Sequence, residues 1–185
     1  SKYEILHDIN KEVESIQHYV KDVNPLKAVA VYYNEPSTIE AGTHNNASQQ
    51  ENTISAVINT FRSMSIPCEF LPNWKIDSEE LSQYQMIIVP EQKCLSDKEI
   101  LELTRYVETG GHLLVTGESG LLDNDANPRS NFAMSELMGI DYLEISKEYS
   151  HQRTGGYLQF DAHPFFKNLP PKNYNMWGNF LKIKV

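Results

Sequence analysis

Cysteine is scarce in this chain, with two residues in 185, Cys68 and Cys94. Two thiols do not make a disulfide framework. Neither sits in a CxxC or a His/Cys cluster, so no zinc pattern is present. Each lies beside an apolar run, and both are expected as buried free thiols. Long hydrophobic runs are lacking as well, and none approaches the roughly 18 residues that cross a bilayer. Cations are outnumbered, 16 Lys and Arg against 25 Asp and Glu, for a net charge of −9. Such a surface repels phosphate backbones and anionic lipid, which argues against nucleic acid and membrane as partners. Carbohydrate or another protein stays open. There is no internal repeat and no low-complexity tract. With Ser1 in first place, no initiator Met and no signal peptide, the chain reads as an excised piece.

What is present is enough for one domain with a real core: 40% hydrophobic residues and ten tyrosines. Lys2 to Val23 reads as an amphipathic helix. Ile5, Ile9, Val13, Ile16 and Val20 recur at spacings of three and four, and Asn24-Pro25 stops the pattern. This helix is expected to pack on its own domain, with docking on a neighbouring domain as the alternative. "KAVAVYY" is a strand apolar on both faces. Asn34 to Gln50 reads as a long polar loop, and its Asn46-Ala47-Ser48 matches a glycosylation triplet by composition alone. A helix follows over about Ser48 to Met64, with Ile54, Val57, Ile58 and Phe61 on one face. "CEFLP" is a short strand, "DSEELSQ" a short helix capped by Asp77, and "YQMIIVPE" a third strand. "LSDKEILELTRYVETGG" carries a capping box, Ser96 with Glu99, and ends at Gly110-Gly111. "HLLVT" is the fourth strand.

Buried strands alternating with helices imply a parallel sheet covered on both faces. Right-handed crossovers favour a flavodoxin-like order. The expected fold is therefore a flavodoxin-like three-layer α/β/α domain with a mostly parallel sheet. "DYLEIS", "GGYLQFDA" and "FLKIKV" would supply extra strands at the C-terminal edge. Residues 1–25 form the leading helix and linker, and 26–185 the α/β domain. Ligands in such sheets sit beyond the carboxyl ends of the strands. Those ends are Tyr33-Asn34-Glu35, Pro72-Asn73-Trp74, Pro90-Glu91-Gln92 and Gly117-Glu118-Ser119.

The stretch "YQMIIVPEQKCLSDKEILELTRYVETGGHLLVTGESGLLDNDANPRSNFAMSELMGI", with the leading "AVAVYYNEPS" and "IPCEFL", resembles the glutamine-amidotransferase-like (class I) domain of multidomain glycoside hydrolases. It is most similar to the trimerisation domain of family 42 β-galactosidases. The likeness runs over most of Lys27 to Asp141. It implies an accessory domain without a cofactor. It also implies partners: the catalytic barrel of a parent chain, further copies of the same chain, or a carbohydrate at the rim of a cleft.

Class I amidotransferases present a Cys in a Gly-x-Cys-x-Gly elbow at the end of the equivalent strand, where backbone N–H groups hold an oxyanion. Here the elbow reads Gly117-Glu118-Ser119-Gly120, and a carboxylate stands at the nucleophile position. No catalytic residue is assigned. Two substitutes define the alternative of a small hydrolase or amidotransferase. Ser119 lacks the last glycine of a Gly-x-Ser-x-Gly elbow, because Leu121 is there. Cys94 follows the third strand, with Lys93 as its one basic neighbour in sequence. In "LQFDAHPFF", His163 precedes Phe165 where an amidotransferase has its orienting Glu. "DNDAN" opens like a calcium loop, but Pro128 replaces the required Gly and Met134 the closing Glu. Asp123, Asp125 and Arg129 are expected instead to form a local ion-pair network. Trp74, Glu91 and Glu118 remain as a candidate ligand or interface rim, on which a sugar-binding or sensor role would rest.

Overall fold

The computed structural model describes residues 2–24, 26–43, 47–146, 156–160, 163–170, 172–176 and 180–185. Pro25, Asn46 of the glycosylation triplet, Gly155 and Asp161-Ala162 lie outside them. Four strands form one parallel sheet: β1 (Val29–Tyr33), β2 (Cys68–Pro72), β3 (Met86–Pro90) and β4 (His112–Thr116), in the order β2-β1-β3-β4. Val31 stands beside Phe70 and Ile88, and Ile88 beside Leu114. This is the expected crossover order, and it brings the carboxyl ends of β1, β3 and β4 side by side.

Helix α5 (Asp97–Glu108) covers one face of the sheet. Its start is the capping box read from the sequence: Ser96 Oγ accepts from Glu99 N–H, and the Glu99 carboxylate accepts from Ser96 N–H. Beneath it Ala30, Tyr32, Leu71, Ile87 and Val89 pack with Leu103 and Tyr106. The short helix α4 (Ser78–Leu81), capped by Asp77, seats Leu81 in the same core. Gly111 has to be glycine, because a Cβ there would run into the Tyr106 ring. On the other face α3 (Ala47–Ser63) lies across β1, β2 and β3, with Ile54 buried and Val57, Ile58 and Phe61 half-buried.

Several expectations give way here. Asn34 to Gln50 is not a loop throughout, because Glu35–Thr43 forms helix α2. Asn34 caps it: its Oδ1 accepts from Ser37 N–H and its carbonyl from Thr38 N–H. The sheet is not covered on both faces along its whole width. His112, Leu114 and Thr116 of β4 are exposed, since α3 stops short of that edge. Of the two free thiols Cys94 is buried and Cys68 only half-buried. The C-terminal strands are present, but as two antiparallel ribbons. There β5 (Asp141–Ser146) pairs with β8 (Phe180–Lys184), and β6 (Gly156–Leu158) with β7 (Tyr174–Met176). Asn131 ties the first ribbon to the body, donating to Asp141 and accepting from Tyr142 N–H. A four-residue helix α6 (Ser135–Met138), closed by left-handed Gly139, precedes it.

The largest departure is α1 (Lys2–Val20). It is helical as its periodicity demands, yet none of its residues is buried among the described residues. Ile5, Ile9, Val13, Ile16 and Val20 all remain exposed, by 48–62%. A helix with a continuous apolar stripe draws most of its stability from burying that stripe, so this one lacks its counter-surface.

Candidate functional site

The elbow follows β4 as a tight turn rather than a strand-to-helix junction. Gly117 and Gly120 adopt positive φ, 61° and 79°. No helix begins directly after Gly120, and the next one, α6, starts at Ser135. Glu118 therefore does not sit on a helix N-terminus. Its carboxylate pairs with Lys93 Nζ at 3.1 Å. Glu91, at the end of β3, takes the left-handed conformation (φ 53°), which costs a non-glycine residue about 1–2 kcal/mol. Its N–H donates to Thr116 C=O, and its carboxylate occupies the space that a Cβ on Gly117 would need. Burial first, and the nearby Glu118 charge second, push the Glu91 carboxyl above the usual range, with Lys93 opposing. The turn thus gathers two carboxylates and one ammonium, Glu91, Glu118 and Lys93. Trp74 does not join them. It follows β2, two strands from β3 and therefore about 10 Å away along the sheet, and it is 68% exposed.

Below the turn lies a sealed polar network. Ser119 is fully buried. Its Oγ accepts from Gln92 N–H (2.9 Å) and is within donating distance of Thr116 C=O (2.7 Å) and Val89 C=O (3.2 Å). Gln92 is also fully buried. Its Oε1 accepts from Asn34 N–H and its Nε2 donates to Pro90 C=O. Asn34 Nδ2 donates to Glu99 Oε1 (2.6 Å), and the Tyr32 hydroxyl donates to the same oxygen. Ser37 Oγ links Asn34 to the backbone of Cys94 on both its N–H and C=O sides. Every hydroxyl and amide in this chain of contacts is held by another part of the protein, which is what low-dielectric burial requires. The geometry locks three strand ends together and buries Ser119 among them.

The sequence profile of the β-galactosidase trimerisation domain matches residues 27–181. The chain belongs to the β-galactosidase trimerisation domain family. No curated protein matches it. Among solved structures, a catalytic mutant of Gan42B, a GH42 β-galactosidase from G. stearothermophilus, superposes with a TM-score of 0.79 at 18% identity, over 99% of this chain and 25% of that one. The β-galactosidase from Bacillus circulans sp. alkalophilus gives 0.77 at 16% identity, over 96% and 26%. The enzyme from the haloarchaeon Halorubrum lacusprofundi gives 0.60 at 20%, over 86% and 22%. At these identities the likeness is one of fold. The chain spans about a quarter of the length of those enzymes.

Within this trimerisation domain the other sequence candidates are not presented at the elbow. Cys94 is fully buried, and burial pushes its thiol up to about 11, with Glu40 acting in the same direction. His163 caps a short turn, its Nδ1 accepting from Phe165 N–H. It lines a groove that contains none of residues 117–120. The expected ion-pair network around Asp123 does not form as read. Asp123 accepts from Asp125 N–H, Asn127 N–H and the Asn127 amide, which holds its carboxyl below the usual range. Arg129 turns instead to Asp97 and Leu95 C=O. No group of three metal-ligating side chains occurs among the described residues.

Sequence reading set Asn34 and Gln92 at strand ends and Glu99 in a capping box, but it did not join them with Tyr32 and Ser37 into one network. One signal was available. Asn34-Glu35-Pro36-Ser37 places a capping residue and an early acid before a helix, with Pro in the first turn. The Gln92–Asn34 contact joins residues 58 apart and has no local signature.

Proposed function

We propose that this chain is a non-catalytic accessory and oligomerisation domain of a parent glycoside hydrolase of the β-galactosidase type, and that α1 docks it onto the parent's catalytic barrel. The exposed stripe of α1 carries this reading. Five apolar residues on one face, left exposed by the described residues of the α/β domain, call for a partner outside this fold. The division at residue 25, between leading helix and α/β domain, follows from it. The elbow supports the non-catalytic role, since Glu118 is salt-bridged and Ser119 is buried with its hydrogen bonds saturated. Partnership with protein is favoured over carbohydrate, because Glu91 and Glu118 are brought together while Trp74 stands apart.

The test uses the full-length enzyme with Ile9→Asp/Ile16→Asp. Both positions are exposed, so the α/β domain should melt as before. The barrel and domain should lose their mutual protection in hydrogen exchange, and galactoside hydrolysis should fall as the assembly loosens. Unchanged protection and unchanged assembly would rule out α1 as the docking element.

A further inference from the structure

The apolar positions of α1 make a narrower stripe than those of a helix that packs on the sheet. Helix α3 meets β1, β2 and β3 through Ile54, Val57, Ile58 and Phe61, the broad face of a core-packed helix. In α1, Leu6, Ile9, Val13, Ile16 and Val20 alternate at spacings of three and four, a strict seven-residue repeat. All five are exposed, by 48–61%. A seam of this kind receives the side chains of a second helix that crosses it at about 20°. The two borders of the seam differ. At about 100° per residue, Asp8 and Glu12 fall beside Ile5 and Tyr19 along one border, and Asn10 and Gln17 along the other. Lys11 and His18 stand on the far side of the helix.

We propose that the occupant of α1 is one helix of the parent polypeptide, lying alongside α1 over its whole length, with Lys or Arg on the side that meets Asp8 and Glu12. The proposal rests on the reading of α1 as the docking element and names the partner it takes. The structural relatives are about four times as long as this chain, so most of such a polypeptide lies outside it and can supply the helix. A second α1 is a poor occupant. Run antiparallel, it would set one acidic border against the other; run parallel, it would set Asp8 and Glu12 against the amides of Asn10 and Gln17. Neither arrangement brings a cation to the two carboxylates. A foreign helix with a basic border does, which is the favourable arrangement of charge.

The experiment places a photo-crosslinking side chain at position 6 or position 20 of the full-length enzyme. Leu6 and Val20 are both exposed in the domain, and circular dichroism checks that each variant keeps the wild-type fold. The two positions lie about 21 Å apart along α1. A helix alongside covers that distance in about 14 residues, so the two crosslinks should fall in one segment of the parent at about that separation. Sites about 6 residues apart would mean a strand, and sites in unrelated segments would mean loops; either result overturns the proposal. Mixing isotopically light and heavy enzyme before irradiation separates the sources. Crosslinks within one chain support the proposal, and crosslinks between light and heavy chains make the occupant a second copy and overturn it. Asp8→Lys/Glu12→Lys should speed amide exchange in α1 about fivefold at low salt and less at high salt. An unchanged rate at low salt would overturn the basic border. If α1 of the unaltered enzyme forms no crosslink and exchanges as fast as a free helix, the docking reading itself is wrong. If it is protected but its crosslinks do not follow helical spacing, docking stands and the partner helix does not.

Discussion

Replacing Glu99 with alanine should come close to unfolding this domain, although the residue touches no ligand. Glu99 is 3% exposed and accepts from Tyr32 Oη, Asn34 Nδ2, Ser96 N–H and Ser96 Oγ. Removing the carboxylate strands the buried Tyr32 hydroxyl and the buried Asn34 amide, at about 1–3 kcal/mol each. Half of the capping box goes too, and the total is about 3–6 kcal/mol. An ordinary domain has about 5–15 kcal/mol in all. At this chain length the loss corresponds to about 10–20 °C in Tm. Tyr32→Phe removes one of the four donors and leaves the carboxylate with three, so it should cost only about 0.5–1.5 kcal/mol. The two changes should be less than additive, since in Tyr32→Phe the alanine variant strands one donor instead of two. Urea unfolding of the wild type, both single variants and the double variant, followed by circular dichroism, measures every corner of the cycle. A Glu99→Ala cost below about 1 kcal/mol, or strict additivity, would refute the picture of a network closed through this carboxylate.

The elbow offers two more tests. Gly117→Ala must place a Cβ at φ 61° and displace the Glu91 carboxylate. The backbone part, about 1–2 kcal/mol, should persist when Glu91 is also replaced by alanine. The steric part should vanish in that background, and equal costs in the two backgrounds would show that Glu91 does not fill the glycine's space. Because the Glu91 carboxyl is raised in the fold, the unfolded chain ionises first as pH rises, and the folded state loses stability across that interval. Glu91→Gln should therefore raise Tm at neutral pH. The gain should shrink as pH falls below the unfolded carboxylate value of about 4.3. A gain independent of pH would exclude an electrostatic cause.

Local physics made most of this domain legible in advance. Continuous apolar strand runs, the Asp77 cap and the Ser96/Glu99 capping box are contests between near neighbours, and the sequence states their outcome. That the turn after β4 carries a carboxylate, Glu118, and no thiol is equally plain, because side-chain chemistry needs no coordinates. Tertiary structure decided the rest. Whether the stripe of α1 finds a cover depends on where the helix leaves the sheet, and among the described residues its stripe stays exposed. Whether Ser119 is reactive depends on Gln92 and Val89 reaching it from the end of β3 and on Thr116 of its own strand. The parallel register that sets Asn34 beside Gln92 is fixed by contacts dozens of residues apart. Periodicity reports which way a side chain faces. Only the closed fold determines what it meets there.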